Sequence, residues 1–432
     1  MRRTRALLAA GLLTLGVAGG ALAADPASPG PAGAATAGLR SSLGHAPATP
    51  DVWGPIVSWV DLRAVEAARP GALQPATLAE ALAALQSDDP AARLWLQAMM
   101  GIAGGSSDLM ADLMGSGPEW PATVGFDFTQ IDRELAFGQP PADGLVLEGR
   151  FDPAAIGAAL SARGFASHDE AGTTWWCSAD GCDQGLQVDF KGRDPNDPFG
   201  GRLGRKQPLA VSADALLSSA SDVTVGAMAA ASAGTAPSLA TDPFVAATLD
   251  ALDAASPDAR LIQAMFVPGT ELLLDPLAVL GTSASPEDIR AILERLSDGF
   301  EPIPPAALLL IADTATADEQ VVQVVLSYAT LADAQAAAEV LPKRLATMSS
   351  FVTDRTWADL LADRGAAPAT ATAMPVGDGA GAAVVTLRAP LAASEPDADG
   401  KLQASSLLYR LFVNAVYQRD LAWLTPTLPA VP

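Results

Sequence analysis

Residues 144–165, GLVLEGRFDPAAIGAALSARGF, carry the clearest local signal in the chain. Leu145, Leu147, Gly149 and Phe151 alternate with Val146, Glu148 and Arg150, the period of a strand with one apolar face and one face holding an acid–base pair. Asp152 then caps a helix whose first position is Pro153, a site where proline's missing N–H costs nothing. The helix should close near Gly164. Working outward, PIVSWVDL reads as an earlier strand, and Leu78, Leu82 and Leu85 mark a helix after Pro75. Leu94, Leu96, Met99 and Met100 mark another helix after DDPAAR, with a third short one at SSDLMADLMG. VGFDFTQIDREL, with Asp127, Asp132 and Glu134, reads as caps and solvated loop. Beyond the central motif, PLAVSADALLSSAS is strand, turn and strand; helices follow Ser221 and at DPFVAATLDALDAA; RLIQAMFVP is a strand.

The second half repeats this grammar loosely. AALLLIADTAT and DEQVVQVVLSYA are strands, and Thr330 with Asp333 caps the alanine-rich helix of TLADAQAAAEVLPKRLATM. A helix at TWADLLAD, a strand in GAAVVTLRAPL and a terminal helix follow. That last helix places Leu408, Leu411, Phe412, Ala415, Val416 and Trp423 on one stripe, as for docking onto a core. Strands linked by hairpins as often as by helices predict an α+β fold with antiparallel or mixed sheets, packed helices and two loosely similar halves. The boundaries expected are a signal peptide over 1–23, an Ala/Pro/Gly linker over 24–50, one α+β domain over 51–268 and a second over 269–432.

The order of a VDL strand, VLEGRFDPAAIGAAL, PLAVSADALLSSAS and SLATDPFVAATLDAL, over about residues 55–270, resembles an uncharacterised family of exported bacterial α+β proteins of unknown function. The resemblance implies an extracytoplasmic protein and brings no active site with it.

The N-terminus is consistent with that location. MRRTRALLAAGLLTLGVAGGALAA joins a basic start (Arg2, Arg3, Arg5) to an apolar stretch and the small-residue pattern Ala21-Leu22-Ala23 of a cleaved secretory signal, the alternative being a retained anchor. No later segment is a credible membrane span; the most apolar, SSLLYRLFVNAVYQRDLAWL, carries Arg410, Arg419 and Asp420. The expected location is periplasmic, secreted or otherwise associated with the cell envelope. In that oxidising setting Cys177 and Cys182, between TTWW and GLQVDF, are expected to staple a hairpin as a disulfide; a redox pair or half a metal site with His168 are the rivals.

The 432 residues carry 26 Lys and Arg against 49 Asp and Glu. Cleavage of the signal leaves 23 bases against 49 acids, a charge of −26. Such a surface repels nucleic acid and acidic lipid and favours solubility and cationic partners. Against that background KGRDPNDPFGGRLGRKQ, residues 191–207, stands out: Lys191, Arg193, Arg202, Arg205 and Lys206 outnumber Asp194 and Asp197 by three. It is the best candidate for contact with an anion or an acidic partner, although GxxxxGK[ST] is not matched.

Catalytic signatures are lacking: there is no GxSxG, SxxK or HExxH. His45 falls in the expected linker, which leaves His168, expected at a turn, as the ordered imidazole. A carboxylate-dependent hydrolase of glycans, drawing on Glu148 or on Asp127, Asp132 and Glu134, with Trp175 or Trp176 as a sugar platform, is the alternative to a non-catalytic binding or envelope protein of unknown ligand. No cofactor is expected beyond weak Ca²⁺ at Glu395, Asp397 and Asp399, where Ser406 stands in place of the bidentate Glu of an EF-hand. The expected partner is a protein or small molecule, not nucleic acid.

Overall fold

The computed structural model describes residues 35–429, apart from 55, 104–114, 171–172, 183–187, 278–284, 298–299, 378, 394–402 and 404. Its strands are β1 (Val57–Asp61), β2 (Ile131–Phe137), β3 (Gly144–Gly149), β4 (Phe165–Glu170), β5 (Thr173–Ser178), β6 (Leu209–Val211), β7 (Ala215–Ser218), β8 (Arg260–Pro268), β9 (Leu308–Ala315), β10 (Glu319–Tyr328), β11 (Thr370–Val376) and β12 (Ala380–Pro390). The helices are α1 (Ala37–Leu43), α2 (Pro50–Trp53), α3 (Leu62–Ala67), α4 (Leu78–Gln86), α5 (Pro90–Met99), α6 (Trp120–Thr123), α7 (Pro153–Ala162), α8 (Asp222–Ser232), α9 (Pro243–Ala255), α10 (Pro286–Ser297), α11 (Leu331–Thr347), α12 (Trp357–Ala362) and α13 (Leu407–Tyr417).

All the strands join one sheet in the order β11-β12-β10-β9-β8-β1-β2-β3-β7-β6-β5-β4, and neighbours pair antiparallel. The fold is α+β. The two halves meet at β1 and β8, paired from Val57↔Phe266 to Val60↔Gln263. On either side of that seam the chain runs strand, hairpin, capped helix, then edge strand: β1, β2–β3, α7, β4 in the first half and β8, β9–β10, α11, β11 in the second. The halves differ after the edge strand. The second returns through β12 alone, whereas the first returns through β5, β6 and β7, and residues 179–208 connect β5 to β6. The boundary expected at 268/269 does not divide the sheet, because β8 pairs with both β1 and β9.

Side chains alternate between two covered faces. On one face Trp59, Leu135, Val146, Leu217, Phe266 and Leu310 pack with Leu39 and Leu43 of α1, Met228 of α8 and Leu249 of α9. The opposite face carries two apolar cores. Val60, Leu147 and Leu216 lie under α3, α5 and α7, while Met265, Ile311 and Val324 lie under α11, α12 and α13. Leu408, Phe412, Ala415 and Val416 of α13 are buried as their stripe predicts, and Trp423 is buried beyond the helix end. A buried polar layer runs between the two cores: Asp313 accepts hydrogen bonds from Gln263 (2.9 Å), Gln320 (2.9 Å) and Ser406 (2.5 Å). The sheet edges resist further pairing, β11 through Pro375 and β4 through the exposed Ser167, His168 and Asp169.

Several expectations are corrected. Residues 37–43 are helical and not part of a linker, because Leu39 and Leu43 are fully buried while Thr36 and Arg40 bind Asp250 and Asp253 of α9. IDRELAF is a central strand and not a loop: Arg133 finds Glu148 across the register, and Asp132 is held by Arg63. TTWW pairs with FASHDE and with β6, so His168 is a strand residue opposite Trp175. The part of GLQVDF that is described, 188–190, is not strand. SSDLMADLMG lies mostly outside the described residues.

Candidate functional site

Folding of the N-terminal segment onto the sheet builds a polar cleft of about 490 Å³ around Glu148, lined also by Ser41, His45, Asp132, Arg133, Asp214 and Ser232. Glu148 is 6% exposed. Its carboxylate accepts hydrogen bonds from Ser41 Oγ (2.7 Å), Ser42 Oγ and Arg133 Nε (2.9 Å), and His45 Nε2 lies 3.6 Å away. Trp59 Nε1 donates to Ser42 Oγ (2.9 Å). Burial alone would raise the Glu148 pKa, but the nearby His45, hydrogen bonds from Ser42 and Ser41 and the charge of Arg133 outweigh it and hold the group at about 2. Arg150, its expected partner, pairs with Asp132 instead (3.5 Å).

The hydrogen bonds and the Arg133 charge keep this carboxylate ionised at neutral pH. A carboxylate saturated by donors is a weak base and carries no proton to give at neutral pH. Ser232 Oγ does lie 2.7 Å from His45 Nδ1, which makes a serine–histidine–glutamate line. Yet Ser232 ends α8 and its hydroxyl donates to Met228 O (2.8 Å), and a helix C-terminus presents carbonyls where an oxyanion needs N–H donors. The other expected carboxylates are also engaged. Asp127 caps the turn at Phe128–Gln130 and accepts from Leu78 N (3.0 Å), and Glu134 is 2% exposed within β2. Trp175 and Trp176, on successive strand residues, pack against opposite faces of the sheet.

The second candidate is the 179–208 connection. Cys177 and Cys182 form a disulfide at its base. Three internal anchors hold the following loop. Phe199 is 1% exposed and packs 6.3 Å from the Phe126 ring. Asp197, buried beside it, accepts from Phe199 N (2.8 Å) and pairs with Arg163, which also reaches Asp194 (3.7 Å). Arg205, 7% exposed, donates to Ala220 O (2.7 Å). Gly200 and Gly204 take φ of 82° and 68°, and a Cβ on Gly204 would sit 1.7 Å from Asp189 O, so only glycine fits this turn.

The expected basic residues thus separate into two groups. Arg205 anchors the loop, and Lys206 lies 5.8 Å from the Phe165 ring. Lys191, Arg193 and Arg202 are exposed at the loop surface beside Val188 (45% exposed), Phe190 (62%) and Leu203 (44%). The Arg193 guanidinium stacks 4.4 Å over Phe190. A cavity of about 670 Å³ adjoins this patch, lined by Asp180, Asp189, Asp194 and Asp197 against Arg163, Arg205 and Lys206.

Glu395, Asp397 and Asp399 lie outside the described residues. Among the described residues, no group of three or more His, Cys, Asp or Glu is placed to hold a metal ion, and no helix is long and apolar enough to cross a membrane. Sequence reasoning missed Ser41, Ser42, His45 and Arg133. The signal available was the i, i+4 pair Leu39 and Leu43, a buried stripe hidden in an alanine- and glycine-rich background.

Fold and site together define an α+β protein with one continuous antiparallel sheet, an internal structural repeat and a disulfide-based loop on its first half. No protein-family model and no curated protein matches the chain. Among solved structures, crystal form III of TP0453 aligns over 86% of this chain and 98% of its own, with TM-score 0.32 and 9% identity. Crystal form IV of TP0453 aligns over 86% and 96%, with TM-score 0.32 and 8% identity. No role is carried over from a likeness at that level.

Proposed function

We propose that this is an exported, non-catalytic binding protein, secreted or associated with the cell envelope, that meets an anionic partner through the loop of residues 188–206. One observation carries the reading: exposed apolar and cationic side chains coincide on this loop, in the connection by which the first half departs from the second. Over residues 191–207 bases outnumber acids by three, so an anionic group, repelled by the acidic body at long range, meets favourable charge only at contact distance. The disulfide supports export, since such bonds persist in oxidising compartments. Against the glycan-hydrolase alternative, a Glu148 pKa held at about 2 leaves no proton at neutral pH for a general-acid role.

The test is retention of the signal-cleaved protein on poly-glutamate beads at low ionic strength, beside a variant with Lys191→Glu, Arg193→Glu and Arg202→Glu. The expected result is retention of the parent, elution by moderate salt and flow-through of the variant. Equal behaviour of the two proteins would sink the proposal.

A further inference from the structure

Resting on that reading of the loop, we infer that its occupant is an extended acidic peptide segment of a partner protein, carrying an apolar side chain, and not a membrane surface. Three observations converge. The patch is made of Phe190, Arg193, Arg202, Val188 and Leu203, and aromatic and arginine side chains are those that dominate protein interfaces when truncated. The loop is rigidly built: Phe199 is sunk into the core, Arg163 holds Asp197, Arg205 holds Ala220 O and Gly204 fills a turn closed to any side chain. Pre-organisation of this kind strengthens recognition of a shaped partner, because ordering has already been met on folding, whereas insertion into a fluid headgroup layer gains little from it.

The extent of the charge decides between the two. The cations reach the surface over one short loop of a chain whose mature charge is −26. A bilayer is a plane of charge that continues past the loop and faces the acidic body beside it. A peptide a few residues long touches the cationic patch alone, and at physiological salt the body beyond about 8 Å is screened from it.

The experiment uses the full signal-cleaved protein with its disulfide intact. A fluorescein-labelled peptide of alternating glutamate and leucine is titrated by anisotropy, with a lysine-for-glutamate peptide as control. Vesicles of equal phosphatidylglycerol and phosphatidylcholine are tested by co-sedimentation. The variants are Phe190→Ser and the triple Lys191→Glu, Arg193→Glu, Arg202→Glu, all at exposed positions, with an unchanged circular dichroism spectrum as the check on folding. The inference expects saturable binding of the acidic peptide, none of the control, a Kd about tenfold or more higher in each variant, and no vesicle binding. Loop-dependent vesicle binding without peptide binding would overturn the peptide occupant and leave the loop as the contact face. Absence of both, or peptide binding indifferent to the variants, would overturn the inference together with the reading of the loop on which it rests.

Discussion

Replacing Glu148 by Gln removes a charge on which the docking of the N-terminal segment converges. The carboxylate receives Ser41 and Ser42 of the α1 segment and Arg133 of β2, with His45 at 3.6 Å, so it ties residues 41–45 to the centre of the sheet. Its pKa is held at about 2 against an ordinary 4.5. That difference corresponds to about 3 kcal/mol of stabilisation at neutral pH. A second route gives the same order: removing one member of a buried, hydrogen-bonded ion pair costs about 3–5 kcal/mol. Gln keeps the shape but turns an N–H₂ toward donors, so α1 should loosen first. The sign follows from the depressed pKa: the contribution is complete above about pH 4.5 and is lost as pH falls toward about 2. Urea unfolding of parent and Glu148→Gln protein at steps from pH 7 to pH 2.5, with hydrogen exchange on residues 37–46, measures this. The expected gap of about 3 kcal/mol at pH 7 should narrow across the acid window. A gap below about 1 kcal/mol at pH 7, or one that does not change with pH, would refute the assignment.

Cys177→Ser with Cys182→Ser should lower stability by roughly 2 kcal/mol, the loop-entropy value for a ring of six residues, read as a shift in urea midpoint. Arg344→Met should cost more, at about 3 kcal/mol or more, because the guanidinium donates to Trp423 O (3.0 Å), Thr425 O (2.8 Å) and Glu301 O and its loss orphans the two buried carbonyls at 423 and 425; thermal unfolding reports it. Gly204→Ala should shift the 188–206 loop, raising hydrogen exchange there while the circular dichroism spectrum is kept, since its Cβ has no room beside Asp189 O.

Elements with strong local chemistry were legible before the fold was known. Asp152 and Thr330 cap their helices as read, and the apolar runs at 57–61, 260–268 and 319–328 are strands. What was hidden needed a partner distant in sequence. IDREL looks like solvated loop because three successive charges are costly in a central strand, until Arg133 meets Glu148 and Asp132 meets Arg63. The strand at 370–376 escaped for a similar reason: TATAMPV is polar enough for an edge and carries a proline. The Glu148 cleft was illegible because its histidine and serines stand about 100 residues from the carboxylate in a stretch composed like a linker.

By itself, the sequence determined the α+β class, the capped helices and apolar strands, the cysteine pairing and the concentration of positive charge at 191–206, because each is written in near-neighbour chemistry: caps, periodicity, cysteine spacing and charge counts. Only the tertiary structure decided that the halves share one sheet and that Ala37–Leu43 belongs to the core. It also decided that Glu148 is a clamp and that Arg205 anchors while Arg193 and Arg202 face outward. Those outcomes depend on which surfaces meet, and burial energy acts between residues that the chain order keeps far apart.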